Sequence, residues 1–95
     1  MHALLDRRSM HVDVFFGADN WCGFTPPDAH RNLPAGHGPW VCHATRWLIL
    51  RNYPYGRIVP ERLIRAGIEN DGFYQCQLSD YQIRRLRGQG NAPRP

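Results

Sequence analysis

His11-Val12-Asp13-Val14-Phe15-Phe16, then Gly17-Ala18-Asp19-Asn20, then Trp21-Cys22-Gly23-Phe24: this stretch decides the fold class. Its first six residues alternate, so Val12, Val14 and Phe16 share one face, as in a strand with a buried side. Gly-Ala-Asp-Asn is turn chemistry, and Trp21 to Phe24 reads as a short returning strand.

Outward from this hairpin the chain changes character. Residues 25–39 hold Pro26, Pro27, Pro34 and Pro39 with Gly36, Gly38, His30 and His37. Proline fixes φ and removes a donor, so this is an irregular loop. A loop of about fifteen residues in a small domain is commonly functional, disordered or pinned by a partner. Trp40 to Arg51 is long and apolar, with Trp40, Ala44 and Trp47 on one helical face, and its length favours a helix. Pro60 stands at a first helical position, Glu61 complements the helix dipole and Gly67 suits the residue just past the end, which predicts a helix over 60–66.

Asn70-Asp71-Gly72 is a turn signal. After it Phe73 to Leu78 alternates, with Tyr74, Cys76 and Leu78 inward. Ser79 and Gln82 form a capping box for a helix that runs to about Arg87, buries Ile83 and Leu86, and stops at Gly88. The expected class is α+β: one small domain over 1–88, a few short antiparallel strands, two or three short helices, the irregular loop 25–39, and a Gly/Pro tail over 89–95.

Composition limits the function classes. The chain has 95 residues, of which 42% are hydrophobic, and the mean hydropathy is −0.55. The longest apolar run, Trp47-Leu48-Ile49-Leu50, is far short of the ~20 residues of a membrane span. Residues 1–10 carry Asp6, Arg7 and Arg8 without an apolar core, unlike a secretory signal. Cys22, Cys42 and Cys76 are odd in number and widely spaced, which suits a reducing compartment such as cytoplasm or organelle matrix.

All 12 cationic side chains counted as Lys or Arg are arginine. Arginine supplies a planar fork of donors and stacks on aromatic rings, where lysine is a hydrated point charge. Codon usage alone gives the same count but not the clustering. The arginines gather in two blocks, Arg46 to Arg65 and Arg84 to Arg94, split by Glu69, Asp71 and Asp80.

Several chemistries can be weighed on these residues. Cys22, His30, His37, Cys42, His43 and Cys76 are enough donors for one zinc, but no closely spaced cysteine pair presents two ligands from one turn. Pro39-Trp40, His43-Ala44 and Trp47 resemble the histidine-bearing stretch of a baculovirus inhibitor-of-apoptosis repeat. Tyr53-Pro54, Pro60-Glu61, Leu63 and Ala66-Gly67 resemble that repeat's opening segment. The two pieces stand in reversed order and the repeat's zinc-holding cysteine pair is missing, so the resemblance implies no mechanism.

For nucleophilic catalysis, Cys42 and His43 are adjacent and point apart. Another cysteine with His30, His37 or His43 needs the fold to assemble it, with Asp13 or Asp28 to orient the base. No phosphate-binding glycine motif is present. No cofactor is expected.

Two binding functions remain. The arginine blocks with nearby Tyr53, Tyr55 and tryptophans fit nucleic acid, although a formal charge of +4 is modest for that role. Docking to a larger protein or complex with an acidic surface accounts for more features, because Trp, Tyr and Arg dominate interface hot spots. The leading expectation is a non-enzymatic protein-binding module, an accessory subunit or small inhibitor. Trp40, Trp47, Tyr53 and Tyr55 are its expected anchors, and Arg84, Arg85 and Arg87 pair with the partner's acidic groups. Nucleic-acid binding and a small zinc domain are the alternatives.

Overall fold

The computed structural model describes residues 10–49 and 58–91. Four strands form one antiparallel sheet, β1 (Met10–Phe16), β2 (Trp21–Thr25), β3 (Val41–Ile49) and β4 (Tyr74–Gln77), in the order β3-β1-β2-β4. Two helices, α1 (Glu61–Asp71) and α2 (Asp80–Asn91), complete an α+β domain. The hairpin is formed as the sequence indicates. Asp19 and Asn20 take left-handed backbone at φ 51° and 68°, which their short polar side chains tolerate better than most.

The sheet is covered on both sides. Val12, Val14, Phe16, Cys22 and Phe24 pack against Val59, Ile64 of α1, and Ile83 and Leu86 of α2. The opposite face holds Asp13, Phe15, Gly23 and Thr25, all buried. The proline-rich loop covers it. There Leu33 is buried, and a Cβ at Gly23 would approach its side chain to 2.7 Å and Trp40 to 3.2 Å. Glycine at 23 is what lets the loop lie flat on β2. Two single-turn 3-10 helices, His30–Asn32 and Ala35–His37, organise that loop. Asn32 Nδ2 ties it to the end of α1 by donating to the Gly72 carbonyl at 2.9 Å.

Three expectations need correction. Within the segment expected as a helix over Trp40–Arg51, Val41–Ile49 is the edge strand β3. β1 is buried on both faces and needs a hydrogen-bonding neighbour on its second edge, and β3 supplies it. Val41, Thr45, Trp47 and Ile49 are residues that suit a pleated surface. The strand reaches helical length because it is bulged. Phe15 and Val14 pair with Cys42 and Ala44, and Val12 pairs with Trp47, so β3 carries an extra residue at each step. The bulges break the period-two pattern and conceal the strand.

Second, α1 runs to Asp71, with Gly67 inside it. A Cβ at Gly67 would come within 2.8 Å of the Tyr74 Cβ, so this glycine lets α1 approach β4 rather than ending the helix. The end falls at Gly72, left-handed at φ 86°, whose N–H donates to the Ile68 carbonyl at 2.9 Å. Third, α2 continues through Gly88 to Asn91. Arg84, Arg85 and Arg87 are therefore mid-helix residues, and the helix extends into the expected 89–95 tail. Its start agrees with the sequence: Gln82 N–H donates to Ser79 Oγ at 3.1 Å and Ser79 N–H to Gln82 Oε1 at 2.9 Å.

Candidate functional site

The bulge in β3 re-aims His43. Cys42, opposite Phe15, belongs to the loop side of the sheet, and Ala44, opposite Val14, packs on the helix side. His43 lies between them and reaches α2, where its Nε2 is 3.2 Å from the Leu86 carbonyl. Its ring tilts against Phe16 with centroids 4.9 Å apart. Arg87 of α2 also lays its guanidinium over the Phe16 ring, 4.6 Å from the centroid. Phe16 thus contacts both an imidazole and a guanidinium.

Beside these contacts a cleft opens, with a volume of ≈ 300 Å³. The hairpin contributes Phe16, Gly17 and Ala18, the start of β3 contributes Val41, Cys42 and His43, and Pro39 and Arg87 complete the wall. Val41 is 66% exposed at its rim. The cleft has apolar walls and one strong cation, the composition of a recognition site.

Its electrostatics favour an anion. Burial holds His43 below the ordinary histidine range; its hydrogen bond to Leu86 opposes this and the Arg87 charge reinforces it. His43 is therefore neutral at pH 7 and donates from Nε2 to the carbonyl. The Cys42 thiol is pushed up, by burial first and the Asp13 carboxylate second, with its contact to the Ala44 carbonyl opposing. It is protonated at neutral pH and poorly suited to nucleophilic attack. Arg87 supplies the formal charge. Among the described residues the ion pairs are Arg46–Asp28 at 2.9 Å and Arg65–Glu61 at 2.7 Å, and neither involves α2.

The other expected anchors fall as follows. Arg84 and Arg85 are exposed on α2 and do not line the cleft. Arg85 lies along its own helix, with Nη1 donating to Tyr81 Oη at 3.1 Å and its guanidinium 5.8 Å from that ring's centroid. Trp40 is half-buried in the loop layer, its Nε1 donating to the Pro34 carbonyl at 2.8 Å. Trp47 packs against the main core. Tyr53 and Tyr55 lie outside the described residues. Of the three expected arginines the structure brings Arg87 to the cleft, and it packs Trp40 into the loop layer and Trp47 against the core.

The groups weighed for metal or catalysis are dispersed. His37 stacks on Trp21 at 3.7 Å and His30 lies 6.1 Å from Phe15. Asp13 accepts hydrogen bonds from two backbone amides, and Asp28 pairs with Arg46. Among the described residues no three His, Cys, Asp or Glu side chains converge to hold a metal ion. No helix there is long and apolar enough to cross a membrane.

Of the residues lining the cleft, the sequence singled out only Arg87 for docking; Phe16, Val41 and His43 are among those it missed. Phe16 carried only the signal of a core position. A helical reading of 40–51 separates Val41 from His43, whereas the bulged strand sets both at the mouth of one cleft. Against protein-family models, curated proteins and solved structures the chain finds no match, so its function rests on the chemistry of this site.

Proposed function

We propose that the protein is a non-enzymatic binding module, an accessory subunit or small inhibitor, whose cleft between β3 and α2 takes an acidic segment of a larger protein. The observation that carries this reading is Arg87. Its guanidinium rests on Phe16 at the wall of an apolar cleft, with no carboxylate paired to it among the described residues. A guanidinium held on an aromatic face has part of its ordering cost met in advance and keeps its fork available for a carboxylate. Pro39 and Val41 offer apolar contact beside it, and Arg84 and Arg85 extend the positive field along α2.

The bound segment would carry Asp or Glu next to a bulky apolar residue. A reducing compartment is the setting proposed, since the thiols are free. The test is selection from a displayed library of random peptides. Acidic-plus-apolar sequences should be enriched, and Arg87→Glu should weaken their binding ~30-fold or more, as for an interface hot spot. Binding to DNA or RNA that falls steeply with salt, with no peptide enriched, would replace this reading with nucleic-acid recognition.

A further inference from the structure

β2 and β4 bring two thiols to one rung of the sheet. Cys22 pairs directly with Cys76, and both pack on the helix side. The Leu78 N–H donates to the Asn20 carbonyl at 3.0 Å, and this sets the alternation of the ladder. Asn20 with Leu78, Cys22 with Cys76, and Phe24 with Tyr74 are the hydrogen-bonded rungs. The Cα atoms of such a rung lie about 5.5 Å apart, inside the ~4.4–6.8 Å range that a disulfide spans, while its Cβ atoms, ~5 Å apart, lie beyond the ~3.5–4.5 Å of a relaxed bridge, so the closed form is strained and readily reduced. Side chains on one rung point to the same face, so the two thiols are neighbours on the helix side of the sheet. Both cysteines are free.

We propose that Cys22 and Cys76 are a redox modification site, closed into a cross-strand disulfide by a low-molecular-weight disulfide and reopened by thiol. Cys76 is on the edge strand and partly exposed, whereas Cys22 is fully buried, so Cys76 reacts first. Its thiolate attacks one sulfur of the small disulfide, forming a mixed disulfide and expelling one small thiolate. The Cys22 thiolate then attacks the Cys76 sulfur and expels the second. The protein loses two hydrogens, which leave on two small thiols, so the exchange balances without another oxidant.

Closure would be slow near neutrality. Burial pushes the Cys76 thiol up to about 11, and burial, with Cys76 adding to it, raises Cys22 as well. The thiolate fraction, and with it the rate, rises ~10-fold per pH unit below that value. Cys42 is exposed on β3 and belongs to the opposite face of the sheet, so it takes no part. The bridge would fasten β4, a four-residue edge strand, together with α1 packed on it. It encloses over half the chain, so closure constrains the unfolded state, and the strain of the wide rung opposes that gain. The site shares no residue with the cleft and stands or falls independently of it.

The experiment uses the full chain with Cys42→Ser, so that two thiols remain, incubated with oxidised glutathione from pH 7 to pH 9. The expected product has no titratable thiol in denaturant, carries no glutathione, yields a Cys22–Cys76 linked peptide, and returns to two thiols with reductant. Its rate rises steeply with pH. Two thiols that stay titratable after prolonged incubation at pH 9, or a stable glutathione adduct on Cys76 as the end product, would overturn the proposal. The same peptide mapping on the unsubstituted chain guards against an effect of Cys42→Ser on folding.

Discussion

Asp13 shows how one side chain sets local backbone. It is 5% exposed. Its two oxygens accept from the Arg46 and Asp28 amides, each at 2.9 Å, and both of those residues take left-handed backbone, at φ 51° and 62°. The carboxylate thus holds the second bulge of β3 and the start of the covering loop at once. Asp13→Ala would leave two amides without an acceptor and should cost about 3 kcal/mol by chemical denaturation. Asp13→Asn keeps one acceptor and should cost less; equal stability for all three proteins would refute the role.

His43 gives a second test at the same scale. Its pKa is lowered in the folded protein. The unfolded chain therefore binds the proton more readily, and stability falls as pH drops from 6.5 toward the folded value. Arg87→Gln removes a nearby positive charge, so the His43 midpoint followed by NMR should move up toward 6.5. No movement would mean that Arg87 does not sit over this corner of the sheet.

At the level of elements, α2 separates two readings of Gly88. As a helix terminator it would need left-handed backbone, and alanine there would destabilise. In the structure it lies inside the helix with open space where a Cβ would go. Gly88→Ala should therefore stabilise by up to about 1 kcal/mol in thermal melts, and destabilisation would place the helix end at Arg87. Gly67 illustrates the same ambiguity. A glycine after a short helical pattern signals a cap, yet here it serves close packing, a distinction that depends on Tyr74 in another element.

The hairpin, β4 and the Ser79/Gln82 box were legible because their signals are local: alternation, turn residues and a fixed spacing. β3 was not, because a bulged edge strand loses its period. What makes residues 41–49 a strand is the open edge of β1, which no window of sequence contains. The pair of contacts on Phe16 was hidden for the same reason, since it joins three elements. Arg84, Arg85 and Arg87 were visible as a basic cluster, but only the fold distinguishes Arg87, at the cleft, from Arg85, laid along Tyr81.

At the scale of the fold, among the described residues a sheet covered by helices on one side and a stapled loop on the other leaves a recessed corner where hairpin, β3 and α2 meet. That corner has apolar walls, a neutral imidazole and a guanidinium supported by an aromatic ring. Its chemistry suits a carboxylate flanked by an apolar side chain better than a run of phosphates, which favours many dispersed cations. Exposed rim charges steer association and add little affinity, so Arg84→Glu and Arg85→Glu should mainly slow binding, while Arg87→Glu should mainly speed dissociation. The most direct test is a backbone NMR titration of the full chain with an acidic, apolar-containing peptide recovered by selection. Shifts confined to Phe16 through Ala18, Val41 through His43 and the amides around Arg87, and lost in Arg87→Glu, are the expected result. Shifts centred elsewhere, or unchanged in that variant, would contradict a docking function for this cleft.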